Sequence, residues 1–278
     1  MNDPIYARIA VASTFSPRFE QVLAEAKRIR NRFGSQLHLI YVGEKSEATT
    51  ERFAVALAEV GLPADSAIHY QDGGPTESIL RAAEDNVVEL IIAGALERTV
   101  VLRSFLGNVA RRLVREANCS VMLFTKPERN PKPMCRIAFY VPPGYSEHSK
   151  QALQRTLHLA KREKCERLYV LRVYSSFDAA RATLRANKKA SVNQPAVPTL
   201  EEEERALEEF IDAAGATDVP IDARCIRSNT GFAASDFVQS VEADLLVVPV
   251  EVTHDSDGIP PHIAWVTDVI PCNLWIIR

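Results

Sequence analysis

Short apolar runs alternate with segments of helical periodicity along residues 1–124 of the chain. The apolar runs predict buried strands, and apolar residues spaced three or four positions apart predict helices. The expected strands are 8–12, 37–42, 66–70, 89–93 and 120–124, and the expected helices are 18–33, 47–60, 76–85 and 105–116. Strands that alternate with helices indicate a doubly wound parallel sheet with right-handed crossovers.

The pattern restarts after a proline-rich stretch, TKPERNPKPM, that is typical of a linker. The tripeptide RIA at residues 8–10 recurs at 136–138, and ELII at 89–92 is matched by DLLV at 244–247. The second half is expected to contain strands 137–141, 167–174, 222–226, 244–248 and 274–277, and helices 146–161, 200–214 and 232–241. A repeat of this length indicates two copies of one domain.

The predicted architecture is α/β, with two tandem Rossmann-like domains that each contain a doubly wound parallel sheet of five strands. Domain 1 is expected to span residues 1–126, a linker 127–134, and domain 2 residues 135–278. The two halves differ in length, which predicts an insertion in the second at about 175–199, a polar stretch before an acidic helix.

Composition argues against a nucleic-acid-binding or membrane-spanning protein. The chain has 278 residues, a hydrophobic content of 46% and a formal net charge of −3, which fit a globular protein without a nucleic-acid surface. No apolar run approaches the roughly 20 residues of a membrane span. The N-terminal residues lack the pattern of a signal peptide, so we expect a cytoplasmic protein. The five cysteines are scattered singly, which favours reduced packing residues.

The main candidate site is the loop that joins strand 89–93 to the following helix. Ligands bind open α/β sheets at the carboxyl ends of the strands, where helix N-termini favour anions. Gly94 and Gly107 permit close backbone approach to a phosphate, and Arg98 and Arg103 would add positive charge. Glu97 opposes this reading because a carboxylate repels a phosphate unless a metal intervenes.

This loop resembles that of the universal stress proteins, whose nucleotide motif is G-x2-G-x9-G-[S/T]. Here Gly94, Glu97, Gly107 and Asn108 keep the spacing, while Glu97 replaces a glycine and Asn108 a serine or threonine. The segment GNVARRLVREANCSVMLF is similar to the closing helix and strand of the family. The resemblance implies a tandem universal stress protein with an adenine nucleotide alpha hydrolase-like fold.

The resemblance also implies which residues would touch a nucleotide. ATP or AMP is the candidate ligand of domain 1, although no cofactor is firmly assigned. The nucleoside would lie against the end of the first strand at Ala12, Ser13 and Thr14, where Ser13 replaces the aspartate common in the family. The backbone near Val42 is the other expected contact. Family members commonly pair through their last strands, which here predicts pairing of residues 121–124 with 274–277, and a homodimer is a further candidate.

In the second half the corresponding loop has lost the glycines. Pro249 and Val252 occupy the two glycine positions, and Pro260 and Pro261 stand where the Gly-Ser pair would be. Proline has no N–H group, so no nucleotide site is expected there. The residues His254, Asp255 and Asp257 lie in this loop, and a solvated acidic loop is favoured over a metal site.

The resemblance, together with the lack of a catalytic constellation, implies a cytoplasmic stress-response or regulatory module without a clear catalytic site, acting through protein partners that the sequence does not identify. The alternative is a sensor of adenine nucleotide, or a slow ATPase, that uses the domain 1 loop. A third and more remote hypothesis is a metabolic enzyme of the same fold group. That hypothesis requires a paired base and nucleophile, and the sequence contains neither a G-x-S-x-G elbow nor a P-loop.

Overall fold

The computed structural model describes residues 4–95, 98–100, 103–174, 199–228, 232–251, 259–267 and 270–278. Its contacts divide the chain into two compact units. Unit 1 comprises Met1–Met134 together with Val250–Arg278, and unit 2 comprises Cys135–Pro249. Both units are α/β, as the sequence predicts. The C-terminal segment therefore groups with the first part of the chain, whereas the sequence pattern assigns it to the second domain.

The main sheet of unit 1 has six strands in the described part of the chain. In spatial order they are β3 (Ala67–Gln71), β2 (Gln36–Val42), β1 (Arg8–Ser13), β4 (Leu90–Gly94), β7 (Ser120–Phe124) and β12 (Asn273–Ile277). The first five strands are parallel, with Ile9 opposite both Leu37 and Leu90. The central strands are almost continuously apolar because both faces of the sheet are covered by helices.

Four helices connect these strands: α1 (Phe19–Phe33), α2 (Glu47–Val60), α3 (Pro75–Asp85) and α4 (Asn108–Glu116). Their ends follow local sequence signals. Gly34 ends α1 in the left-handed conformation at φ 72°, which glycine adopts without a steric penalty. Ser46 begins α2 with a capping box to Thr49.

The loop after β4 contains a feature that the sequence pattern did not predict. Arg98–Val100 (β5) and Arg103–Phe105 (β6) form a small antiparallel hairpin. The predicted helix 105–116 was wrong at its first residues, since Phe105 lies in β6 and α4 begins at Asn108. Phe105, Val109 and Leu113 have helical spacing, but the helix includes only the last two.

The last strand of the chain completes unit 1. Strand β12 pairs antiparallel with β7, with Leu274 opposite Leu123 and Ile276 opposite Val121, which confirms the predicted pairing of these segments. The Trp275 side chain is fully buried, and its ring lies 6.2 Å from that of Tyr6 and 5.6 Å from that of Phe33. The edge of β7 is therefore covered by another part of the same chain.

Unit 2 contains four parallel strands in the order β10 (Ile221–Arg227), β9 (Arg167–Tyr174), β8 (Arg136–Tyr140) and β11 (Leu245–Pro249). Its helices are α5 (Glu147–Glu163), α6 (Leu200–Ala213) and α7 (Phe232–Ser240). The fifth strand expected for the second half is β12, which lies in unit 1. The predicted insertion at 175–199 lies outside the described residues except for Thr199, which caps α6.

A buried ion pair connects β9 to α6 in unit 2. The Nε of Arg172 lies 3.3 Å from the Glu203 carboxylate, and both side chains are 10% exposed. The Tyr145 hydroxyl donates a hydrogen bond of 3.1 Å to the same carboxylate oxygen. Burial and the neighbouring carboxylate of Glu203 raise the pKa of Tyr145, so the phenol remains protonated at neutral pH.

Candidate functional site

A cavity of about 250 Å³ lies in unit 1 at the carboxyl ends of β1, β2 and β4. Its walls are mostly apolar and come from three helices, with Phe19 and Val22 from α1, Ile79 from α3, and Leu113 from α4. This position is where doubly wound sheets bind ligands, and an apolar lining with few polar groups is typical of small-molecule sites.

The polar groups of the cavity favour an anion. Among the described lining residues, Arg18 is the only one that carries a charge, and none is Asp, Glu, His, Lys or Cys. Helix α4 begins at Asn108, beside the cavity, and its N-cap residue Gly107 has no side chain to cap it; no described side chain forms a cap hydrogen bond there. The first N–H groups of a helix lack partners within it and form the positive end of its dipole, so α4 adds to the positive potential of Arg18.

The two glycines of the predicted motif both line the cavity, and each has a local role. A Cβ atom at Gly94 would lie 3.0 Å from Cγ2 of Val22, so glycine allows the end of β4 to approach α1 closely. Gly107 is the N-cap residue of α4, with φ −64° and ψ 157°, a conformation open to any residue. Packing therefore requires the first glycine, whereas backbone conformation does not require the second.

The structure brings six of the ten predicted site residues together around the cavity: Ala12, Ser13, Thr14, Val42, Gly94 and Gly107. Ser13 is buried, and its hydroxyl donates a hydrogen bond of 3.2 Å to the carbonyl oxygen of Val11. Because this donor is occupied, Ser13 presents mainly acceptor lone pairs to a ligand.

The other four predicted residues do not line the described cavity. Asn108 is the first residue of α4 and is exposed beside it. Arg98 and Arg103 belong to the β5–β6 hairpin, of which only the backbone is described, and Glu97 lies outside the described residues. Whether these three side chains approach a ligand stays a prediction.

Sequence reasoning missed the charged residue of the cavity and part of its wall. Arg18 follows the loop after β1 and immediately precedes α1, a position where a side chain reaches the ends of the strands. The placement of Arg18 between the first strand and the first helix was the sequence signal that could have identified it as a cavity residue. Pro127 also lines the cavity, although its sequence context indicates only a linker. The contact between these distant segments leaves no local pattern in the sequence.

The remaining titratable groups form no metal-binding cluster in the described part of the chain. His38 and His69 lie on adjacent strands with their Nδ1 and Nε2 atoms 2.9 Å apart. No cluster of three or more His, Cys, Asp or Glu side chains is suitably placed for a metal among the described residues. The acidic loop with His254, Asp255 and Asp257 lies outside them. None of the helices described is long and apolar enough to cross a membrane.

Comparison with known proteins identifies the family. Residues 5–125 match the universal stress protein family. A universal stress protein of Thermus aquaticus is 30% identical over 136 residues, which cover 98% of that protein and 43% of this chain. This chain belongs to the universal stress protein family. A universal stress protein of Methanocaldococcus jannaschii is 26% identical over 145 residues, 85% of its length and 45% of this chain.

Solved structures of universal stress proteins match the fold along nearly the whole chain. A putative universal stress protein from Pseudomonas aeruginosa aligns over 98% of this chain and 93% of its own, with a TM-score of 0.70 and 15% identity. A universal stress protein from Archaeoglobus fulgidus aligns over 97% of this chain and 98% of its own, with a TM-score of 0.66 and 14% identity. These matches support the tandem form of the universal stress protein fold.

Proposed function

We propose that this chain is a non-catalytic, cytoplasmic stress-response module whose first unit senses a small anionic ligand, with ATP or AMP as the first candidates. The observation that supports it is the cavity at the carboxyl ends of the strands, with apolar walls, Arg18 as the charged residue among the described lining residues, and the start of α4 at Gly107, where no described side chain forms a cap. An apolar body with an anionic group, such as a nucleoside phosphate, suits this combination.

The same lining argues against the alternative of a slow ATPase. Hydrolysis needs a group that activates or orients water, usually a carboxylate or an imidazole. None of the described residues around the cavity has such a group, and the Ser13 hydroxyl donates its hydrogen bond to the Val11 carbonyl oxygen. We propose binding without turnover: incubation with ATP should release no phosphate above the rate in buffer, and phosphate release would favour the ATPase alternative.

Substitution of Gly107 tests the proposal because it separates charge from helix capping. Gly107→Asp places a carboxylate at the start of α4, where it should stabilise the helix by a few tenths of a kcal/mol, about what an N-cap glycine lacks. The same carboxylate should repel an anionic ligand. Gly107→Ser also caps the helix but adds no charge, so it is the matched control.

The measurement is titration calorimetry with ATP and AMP, together with mass analysis of small molecules released from the purified protein. We expect wild type to bind, Gly107→Ser to bind somewhat more weakly because its hydroxyl occupies one N–H group of α4, and Gly107→Asp to lose at least about tenfold in affinity relative to Gly107→Ser, the equivalent of 1.4 kcal/mol. No heat at millimolar ATP or AMP, with no nucleotide released from the protein, would refute the proposed ligand.

A further inference from the structure

The connecting segment, residues 125–131, leads from β7 toward unit 2 and contacts the cavity. Its first residue is held at three points: Arg18 donates a hydrogen bond of 3.3 Å to the Thr125 carbonyl, and the Thr125 amide and hydroxyl donate to Asn273 Oδ1 at 3.0 and 3.3 Å. Two residues later, Pro127 forms part of the cavity wall. This segment is thus part of the site.

A second attachment holds the segment beyond Pro127. Arg129 forms an ion pair with Glu20, in the first turn of α1; the Arg129 side chain is 66% exposed and the Glu20 side chain 33%. An ion pair with one largely exposed partner stabilises a contact only slightly, so this attachment is the weaker of the two. The segment therefore has a firm anchor at Thr125, a wall residue at Pro127 and a weak latch at Arg129.

Arg18 links the segment to the ligand site. It lines the cavity as the charged residue of the described wall, and one N–H of its guanidinium holds the Thr125 carbonyl. A guanidinium has five N–H donors in a rigid planar arrangement. It is therefore able to bind an anion in the cavity while it keeps its hydrogen bond to the segment.

We propose that the connecting segment closes over the cavity and that Arg18 couples its closure to ligand binding. This inference rests on the proposed function and adds the regulation of the site. A ligand that touches both Arg18 and Pro127 binds the closed segment more tightly than the open one, and so shifts the segment toward closure. Occupancy of the cavity therefore lowers the fraction of time for which residues 125–131 are open.

Limited digestion of the full chain with trypsin measures opening at a single bond. Trypsin does not cut before proline, so Lys126–Pro127 and Lys132–Pro133 resist it, and Arg129–Asn130 is the susceptible bond of residues 125–134. Trypsin can bind the Arg129 side chain only after the ion pair between Arg129 and Glu20 has broken. The rate at which peptides ending at Arg129 appear, followed by mass spectrometry, therefore reports the open fraction. The exposed Lys45–Ser46 bond is the internal reference.

In ligand-free protein we expect Glu20→Gln to speed cleavage at Arg129 by about two- to fivefold, the effect of losing one exposed ion pair. Glu51→Gln removes the same charge from the neighbouring helix α2 and should leave the rate unchanged. Equal cleavage rates at Arg129 in the Glu20→Gln and Glu51→Gln variants would show that the ion pair between Arg129 and Glu20 does not hold the segment closed. Saturating ATP or AMP should slow cleavage in wild type by at least about fivefold relative to Lys45–Ser46, the lower end of typical coupling.

Arg18→Gln, measured at a nucleotide concentration that saturates it, should lose this protection. If it cannot be saturated, Arg18→Lys serves instead, and the same loss is expected because an ammonium lacks the planar donors that reach both partners. Protection that persists in these variants, or nucleotide binding without protection in wild type, overturns this inference and leaves the proposed function standing. If neither ATP nor AMP binds to the wild-type protein, the proposed nucleotide function and this inference are both refuted.

Discussion

His38 and His69 form a pair whose protonation is linked to the stability of unit 1. Their rings stack at 5.1 Å between centroids, with ring nitrogens 2.9 Å apart. Burial lowers the pKa of His38 below its ordinary value of 6.5, and the nearby His69 and Arg8 lower it further. Burial also lowers the pKa of His69. At neutral pH both rings are neutral, and one donates its N–H to the other.

This pair predicts that stability falls in mild acid. The unfolded chain takes up protons near pH 6.5, whereas the folded pair resists protonation, so the stabilising contribution is complete above that pH and is lost as pH falls below it. Urea unfolding at pH 7.5 and 5.5 should show a larger decrease in wild type than in a His38→Gln, His69→Gln double variant. Equal pH dependence in wild type and the double variant would contradict the linkage.

Arg172 and Glu203 give a second prediction at the residue scale, this one in unit 2. Glu203→Leu leaves a buried guanidinium without its carboxylate and should cost about 3–5 kcal/mol of unfolding free energy. Adding Arg172→Met removes the stranded charge, so the double variant should recover much of that loss. Denaturant titration of all variants checks this, and a double variant that loses the sum of the two single losses would argue against a coupled pair.

Among the elements, β12 has the clearest energetic role because its side chains fill the core of unit 1. Trp275→Ala removes a fully buried ring between Tyr6 and Phe33 and should cost about 3–5 kcal/mol. The indole N–H has no hydrogen-bond partner among the described residues, so Trp275→Phe should cost less than about 1.5 kcal/mol. Urea unfolding provides both values, and equal losses in the two variants would mean that ring packing is not the source.

The elements also show where sequence patterns succeed and where they fail. The strands were predicted well because a parallel strand buried on both faces is a continuous apolar run, as in Leu90–Gly94 and Ser120–Phe124. The β5–β6 hairpin was missed because strands of three residues are too short for a period to appear. The start of α4 was misplaced since Phe105 continues the helical spacing outside the helix.

The candidate site was only partly predictable for a different physical reason. Gly94 and Gly107 were found because glycine spacing is a local signal of a ligand loop. Arg18 and Pro127 were missed because their places in the cavity depend on contacts between α1 and the segment after β7. Such contacts are set by tertiary packing, and neither residue type nor spacing reveals them.

On the scale of the whole molecule, the two halves are expected to differ in ligand binding. The loop of the second half has Pro249 and Pro260 where the first half has glycines, and proline offers no N–H to a phosphate. We therefore predict one bound nucleotide per chain. Calorimetry with protein of known active concentration gives this number, and a stoichiometry of two would show that the second half binds through another set of donors.

The grouping of Val250–Arg278 with unit 1 has a consequence for how the protein is made. Ribosomes synthesise the chain from its N-terminus at about 5–20 residues per second. Strand β7 leaves the ribosome early, but its partner β12 follows only after roughly 150 further residues, a delay of about 8–30 seconds. During that interval the apolar edge of Ser120–Phe124 is unpaired and open to other nascent chains. The nascent protein therefore needs chaperone protection longest at its first sheet.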